Sequence, residues 1–187
     1  MQLRLFLAVV PPDEVVVKLV RTVQELKRYN WDVKWVEPHN MHITLKFLGE
    51  VDEGLVTQLQ QSFARACTGI RSFEVELKGV GSFAKDGKPR VIWAGVSSGA
   101  RELEQLAVSL DQAAALLGLG SERFTAHLTL GRVRSWTGSL SNAFRREMER
   151  LATQEFGRFA VEEVKLIRSQ LSRQGPSYSE LATFHLS

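Results

Sequence analysis

Apolar and polar positions along residues 3 to 9 (LRLFLAV) read as a β-rich opening, which Pro11, Pro12 and the acids Asp13 and Glu14 bring to a stop. Beyond that break Val16, Leu19, Val20, Val23 and Leu26 recur at helical spacing, so the pattern predicts a helix that ends near Asn30. A loop through Trp31, Trp35 and Pro38 then leads into His42-Ile-Thr-Leu-Lys-Phe-Leu48, an alternating strand that stops at Gly49. Strict alternation puts His42, Thr44 and Lys46 on one face of it and Ile43, Leu45 and Phe47 on the other. The pattern continues with a helix from about Asp52 to Cys67 and a strand over 73 to 83 (FEVELKGVGSF). A reversal at Asp86-Gly87-Lys88-Pro89 brings in a further strand over 90 to 96 (RVIWAGV).

The second half repeats this order. It predicts a helix from about Ala100 to Leu117, a strand over 124 to 133 (FTAHLTLGRV), a helix from about Leu140 to Leu151, and strands from Phe159 to Leu171 and from Tyr178 to Leu186. Matching elements keep nearly one offset: His127 lies 85 residues after His42, Phe159 lies 86 after Phe73, and Pro176 lies 87 after Pro89. A constant shift across a motif, a strand and a turn argues for an internal duplication, with approximate repeats 1–88 and 89–187. The expectation is one bilobed α+β domain. Its lobes are related by a pseudo-two-fold axis, each with a mainly antiparallel sheet facing a central cleft and helices outside. Such an axis would bring His42 and His127 together in that cleft.

Composition narrows the picture only a little. With 187 residues, 44% hydrophobic and 24% charged, the chain matches an ordinary globular domain that can bury a core without staples. Its lone cysteine, Cys67, excludes an intramolecular disulfide and fits a reducing, cytoplasmic setting. The first apolar run is interrupted by Arg4 and lacks a small-residue cleavage site, and no stretch approaches the ~20 apolar residues of a bilayer span. A soluble monomer is expected. A net charge of +3 permits a polyanionic partner without requiring one, because 21 acids are interspersed among 24 bases.

The chemistry lies in two His-x-Thr-Leu strands, His42 to Leu45 and His127 to Leu130. A threonine two residues after a strand histidine shares its face, so each motif presents an imidazole beside a hydroxyl, with a leucine anchoring the strand behind them. With nine threonines in the chain, a histidine finds one at that spacing by chance roughly one time in twenty. Two of the four histidines do so at equivalent places in a repeat. A histidine side chain titrates near pH 6.5, so one imidazole can remove a proton from water while the other protonates a departing oxygen, the pairing that displacement at phosphorus needs. The Thr44 and Thr129 hydroxyls and a cation would hold the non-bridging oxygens. Arg132 is the leading cation, Lys46 a weaker one.

The segments HITLKFLGEV (42 to 51), KPRVIWAGV (88 to 96), HLTLGRV (127 to 133) and LSRQGPSYSELATF (171 to 184) resemble the LigT-like branch of the two-histidine phosphoesterases over nearly the whole chain. The resemblance implies a bilobed fold and metal-independent hydrolysis of RNA or oligonucleotide 2′,3′-cyclic phosphate ends to 2′-phosphomonoesters, with no cofactor. It further implies His42 as proton donor and His127 as acceptor, roles that the residues themselves leave open. Tyr178 falls within the last of these segments and is a weaker candidate for substrate contact. Two positions depart from the family pattern: Ala126 stands where many relatives have Pro, and Gln170 where Arg is common.

Other readings remain at this point. The same fold could serve mainly as a 2′-5′ RNA ligase, or keep the cleft and bind RNA ends without turnover through Lys46, Arg90, Arg132 and Arg134. His39 and His42 form an HxxH that a zinc hydrolase would use, although this spacing on a loop–strand junction lacks the one-face geometry of a helical pair. His185 reads as a surface residue and Cys67 as helix packing.

Overall fold

The computed structural model describes residues 1–137, 141–173 and 175–187. In chain order the elements are β1 (Gln2–Val9), α1 (Asp13–Lys27), β2 (Val33–Trp35), β3 (Ile43–Asp52), α2 (Val56–Cys67), β4 (Phe73–Lys85) and β5 (Lys88–Ser98). There follow α3 (Ala100–Ala115), β6 (His127–Val133), α4 (Ser141–Arg150), β7 (Glu155–Val161), β8 (Glu163–Ser172) and β9 (Gly175–His185). The start expected for the last helix, near Leu140, lies outside the described residues.

All nine strands pair antiparallel, in the order β7-β4-β5-β6-β3-β1-β8-β9 with β2 added alongside β6. The architecture is α+β, and its sheet contains two groups of four strands, β7-β4-β5-β6 and β3-β1-β8-β9. They meet through one residue pair, Ile43 with Leu128. Each group draws strands from both halves of the chain: β8 sits beside β1 with β9 on its far side, while β4 lies between β5 and β7. The cause is the tight turn at the repeat boundary. Asp86 and Gly87 both take positive φ, 54° and 72°, as a two-residue hairpin matching strand twist requires, and this keeps β4 locked to β5 across residue 88.

One face of the sheet is covered by helices. Leu19 and Leu26 of α1, Leu59 and Phe63 of α2, and Leu103, Leu106 and Leu110 of α3 are fully buried and pack with Leu7, Ile43, Leu77, Ile92 and Leu128 in one core. Burying each such side chain is worth about 1.5–3 kcal/mol, which makes this face the main source of stability. Cys67, 1% exposed at the end of α2, belongs to the same packing, and burial pushes its thiol up to about 11, so it is an unreactive filler. The opposite face carries a small buried apolar cluster, Phe6, Ala8 and Ile167 with Tyr178 against it. That open face forms the floor of the cleft.

Two strands escape the sequence pattern. The loop through Trp31 and Trp35 contains β2, three residues paired with Gly131, Arg132 and Val133. The run expected from Phe159 is divided at Glu162 into β7 and β8, which separate to different places in the sheet, β7 at one edge and β8 beside β1. No helix among the described residues is long and apolar enough to cross a membrane.

Candidate active site

The single β3–β6 pair fixes the geometry of the two motifs. Ile43 and Leu128 face each other, both 0% exposed, and so point into the core. Continuing that antiparallel register would set His42 opposite Thr129 and Thr44 opposite His127, and His42, Thr44 and Thr129 line the cleft. The two histidines are then diagonal neighbours, a relation that places their Cα atoms about 7–8 Å apart. They are close enough for a charged His127 to disfavour protonation of His42.

Backbone carbonyls orient both rings in the same way. His42 Nδ1 lies 2.7 Å from the Asn40 carbonyl and His127 Nδ1 lies 2.7 Å from the Thr125 carbonyl, each two residues upstream. A carbonyl can only accept, so each Nδ1 carries a proton and each neutral ring turns its basic Nε2 outward. His42 Nε2 accepts from the Thr44 hydroxyl at 2.9 Å, whereas His127 Nε2 has no protein partner among the described residues. Aromatic side chains hold the rings in place: Phe6 stacks on His42 at 4.8 Å, Tyr178 meets it edge-on at 5.5 Å, and Phe83 meets His127 edge-on at 4.9 Å. Burial lowers the pKa of His42 to about 4, the Asn40 carbonyl opposing the shift and Arg132 adding to it. His127 is lowered in the same direction, by burial first, with Arg132 adding to it against the Thr125 carbonyl. Both imidazoles are thus neutral at physiological pH, and an anion between them would draw a proton onto one.

A β-bulge in each motif strand decides which cation joins them. In β3, Ala8 pairs with Thr44 but Leu7 pairs with Lys46, leaving Leu45 as an extra residue. In β6, Trp93 pairs with Thr129 but Ile92 pairs with Gly131, leaving Leu130 as an extra residue. Each bulge reverses the alternation that follows it, so the position four after the histidine turns inward and the position five after turns to the cleft. Arg132 therefore lines the cleft beside His127. Gly131, at the inward position, leaves room for β2, since a Cβ there would stand 2.6 Å from a methyl of Val33 and 2.8 Å from the Trp35 ring.

The same bulge removes Lys46 from the candidate site and substitutes Phe47. Lys46 is 2% exposed on the helix side, ion-paired with Asp111 of α3 at 2.7 Å and donating to the Gly120 carbonyl. Strict alternation misplaced it by one residue. Its role is structural, anchoring the segment that leads to the second motif: Asp111 also accepts from Ser121, and the Phe47 N–H donates to Glu122 at 2.8 Å. Removing the carboxylate would strand a buried ammonium. Asp111→Ala is expected to cost about 3 kcal/mol, read from the urea midpoint, and a loss under about 1 kcal/mol would show that Lys46 is satisfied without it.

The quartet opens into a cleft of about 840 Å³. Its lining includes the cations Arg4, Lys27, Lys34, Arg132 and Arg134 against a single acid, Glu37. Tyr178 and Thr129 line it as well, so each expected site residue except Lys46 borders the cleft or its histidine pair. His39 lies at the rim, but no group of three His, Cys, Asp or Glu side chains suited to a metal occurs among the described residues. His185 sits on β9 beside Glu163 at 3.8 Å, away from the cleft. The sequence reading missed Phe6, which stacks on His42, and Asn40, whose carbonyl orients that ring and whose amide donates to the Pro176 carbonyl at 3.0 Å. A backbone acceptor leaves no mark in sequence, and Phe6 looks like any core aromatic.

An antiparallel sheet with paired HxT imidazoles in a cationic cleft defines the class of two-histidine phosphoesterases. Within that class the chain belongs to the family described as LigT like Phosphoesterase, whose pattern matches residues 9–93 and again residues 95–178. A curated protein of Archaeoglobus fulgidus named RNA 2′,3′-cyclic phosphodiesterase is 35% identical over 183 residues, 97% of this chain and 99% of that one. One of the same name from Methanothermobacter thermautotrophicus is 35% identical over 188 residues and covers both chains fully. Among solved structures, a protein of Thermus thermophilus superposes with a TM-score of 0.82 at 30% identity, over 98% of this chain and 97% of that one. The Escherichia coli LigT apo structure gives 0.79 at 26% identity, over 100% and 98%.

Proposed function

We propose that this phosphoesterase hydrolyses RNA 2′,3′-cyclic phosphate ends to 2′-phosphomonoesters by metal-independent acid–base catalysis. The observation that carries the reading is the diagonal pair of imidazoles, each with Nδ1 tied to a backbone carbonyl, which leaves Nε2 as the nitrogen to exchange a proton once the Thr44 hydroxyl turns away from His42. The curated relatives named RNA 2′,3′-cyclic phosphodiesterase support the substrate.

With the phosphorus between the rings, neutral His127 takes a proton from attacking water as its oxygen bonds to phosphorus. His42, charged once the phosphate anion offsets its burial, gives a proton to the 3′ oxygen as that bond breaks. Thr44, Thr129 and Arg132 hydrogen-bond the non-bridging oxygens, where negative charge gathers. The Thr44 hydroxyl rotates from His42 Nε2 to the phosphate when that nitrogen becomes a donor. A 5′-hydroxyl replacing water in the same geometry would yield a 2′-5′ linkage, so hydrolysis and ligation share one site.

The test is incubation with a nucleoside 2′,3′-cyclic phosphate in excess chelator, with the products separated by chromatography. The 2′-monophosphate should accumulate at the rate seen without chelator. A 3′ product would overturn the regiochemistry, and loss of activity restored by zinc would replace the mechanism with a metal-dependent one.

A further inference from the structure

The cleft lining is unevenly charged, with five cations against one acid. On the outer surface Lys78 pairs with Glu155, Arg158 with Glu76, Arg150 with Glu25 and Glu147, and Lys165 with Glu163 and Glu180. In the cleft, Arg4, Lys27, Lys34, Arg132 and Arg134 have no carboxylate partner among the described residues. The chain has 21 acids, yet only Glu37 lies among these cations in the lining. Like charges gathered in a concave site raise the folded state's energy and focus a positive potential on whatever enters.

Three of these cations form a track. Lys34 of β2 stands directly opposite Arg132 of β6, and Arg134 follows two residues later, where its N–H continues the ladder to the Asp32 carbonyl at 2.8 Å. Two residues along a strand advance about 6.7 Å, comparable to the step between phosphates in an extended nucleic-acid backbone. The ribbon runs away from His127 and Thr129 in one direction, and Lys34 reaches toward the β8–β9 turn, its Nζ 3.8 Å from where a Gly175 Cβ would stand.

We infer that the β2–β6 ribbon, through Lys34 and Arg134, binds the phosphodiester backbone immediately upstream of the cyclic end, making an RNA strand and not a lone nucleotide the preferred substrate. This rests on the reading of the histidine pair as an RNA-end site. A 2′,3′-cyclic phosphate occupies the 3′ terminus, so the only chain attached to it extends in the 5′ direction and must leave the histidine quartet along a path that accepts phosphates. Arg132 serves the cyclic group itself, while Lys34 flanks it on the neighbouring strand and Arg134 lies further along the ribbon. The contacts are to phosphate, so they confer strand preference without base preference.

Two readouts test this. The first is kcat/KM on a tetranucleotide with a 2′,3′-cyclic end against the corresponding nucleoside cyclic phosphate. The second, independent of turnover, is fluorescence polarisation of a labelled tetranucleotide bearing a 3′-phosphate, with the last linkage either native or an uncharged methylphosphonate. The wild-type protein should favour the tetranucleotide by about 10-fold or more, and the methylphosphonate should lose that margin in binding. The double variant Lys34→Ala/Arg134→Ala should bring the tetranucleotide down toward the nucleoside value while nucleoside turnover stays within about threefold, and should flatten the log–log salt slope of binding by about 1.4. Equal kcat/KM for both substrates, indifference to the methylphosphonate, or an undiminished margin in the variant would each overturn the inference. Strand-dependent binding without turnover of either substrate would instead overturn the proposed hydrolysis and leave the track standing.

Discussion

Alanine in place of His42 or His127 is expected to lower kcat/KM on a cyclic phosphate end by about 10²–10⁴ in each case. In the proposed mechanism each ring supplies one Nε2, and the threonines of the quartet cannot replace it, so neither proton transfer has a substitute. The two transfers belong to one displacement, and the double variant should therefore lose little beyond either single one. His42 also packs against Phe6 and Tyr178, so its removal leaves a gap, and His42→Gln separates lost chemistry from lost packing. Steady-state kinetics beside thermal melts decide the matter: either variant that stays folded and within about tenfold of wild type removes that histidine from the mechanism.

Arg132→Ala should be nearly as damaging, with kcat falling about 10²–10³, the loss typical of one donor to a developing oxyanion. Arg132 has no carboxylate partner among the described residues, and its charge reaches His42, His127 and Tyr178, acting to lower the pKa of each. Deleting it lifts the pKa of both histidines toward the ordinary value, an upward movement that histidine NMR titration reads directly. Lysine at the position keeps charge without the planar fork and should recover only part of the rate. A full rate in the alanine variant would mean that another cleft cation carries the phosphate.

Much of this arrangement was legible in the sequence. The spacing of His42, Thr44, His127 and Thr129 places a hydroxyl beside each imidazole, and a constant offset between the halves implies their meeting, which the Ile43–Leu128 pair shows to occur on adjoining strands. Lys46 failed because alternation was extrapolated through a bulge, an extra residue with no composition of its own. Arg132, an odd number of positions from His127, reaches the cleft through the equivalent irregularity. Strand β2 was invisible for a different reason: three residues are too few to show a period, and β6 recruits them through Gly131, where the missing side chain makes room. The exchange of β4, β8 and β9 between the two strand groups was hidden because repeat spacing records which segments match and not which become neighbours.

The two irregular leucines also set a rule of length for this scaffold. Each consumes one residue of chain without advancing the ladder, so closing either bulge while keeping that residue in the ladder would exchange inside for outside in everything downstream, driving a guanidinium into the hydrophobic interior or exposing a lysine now sealed within it. Excising the leucine together with its bulge would instead leave every later side chain on its present face. The motif strands can therefore shorten by one residue only at the bulge, and other insertions and deletions should collect in the connecting loops.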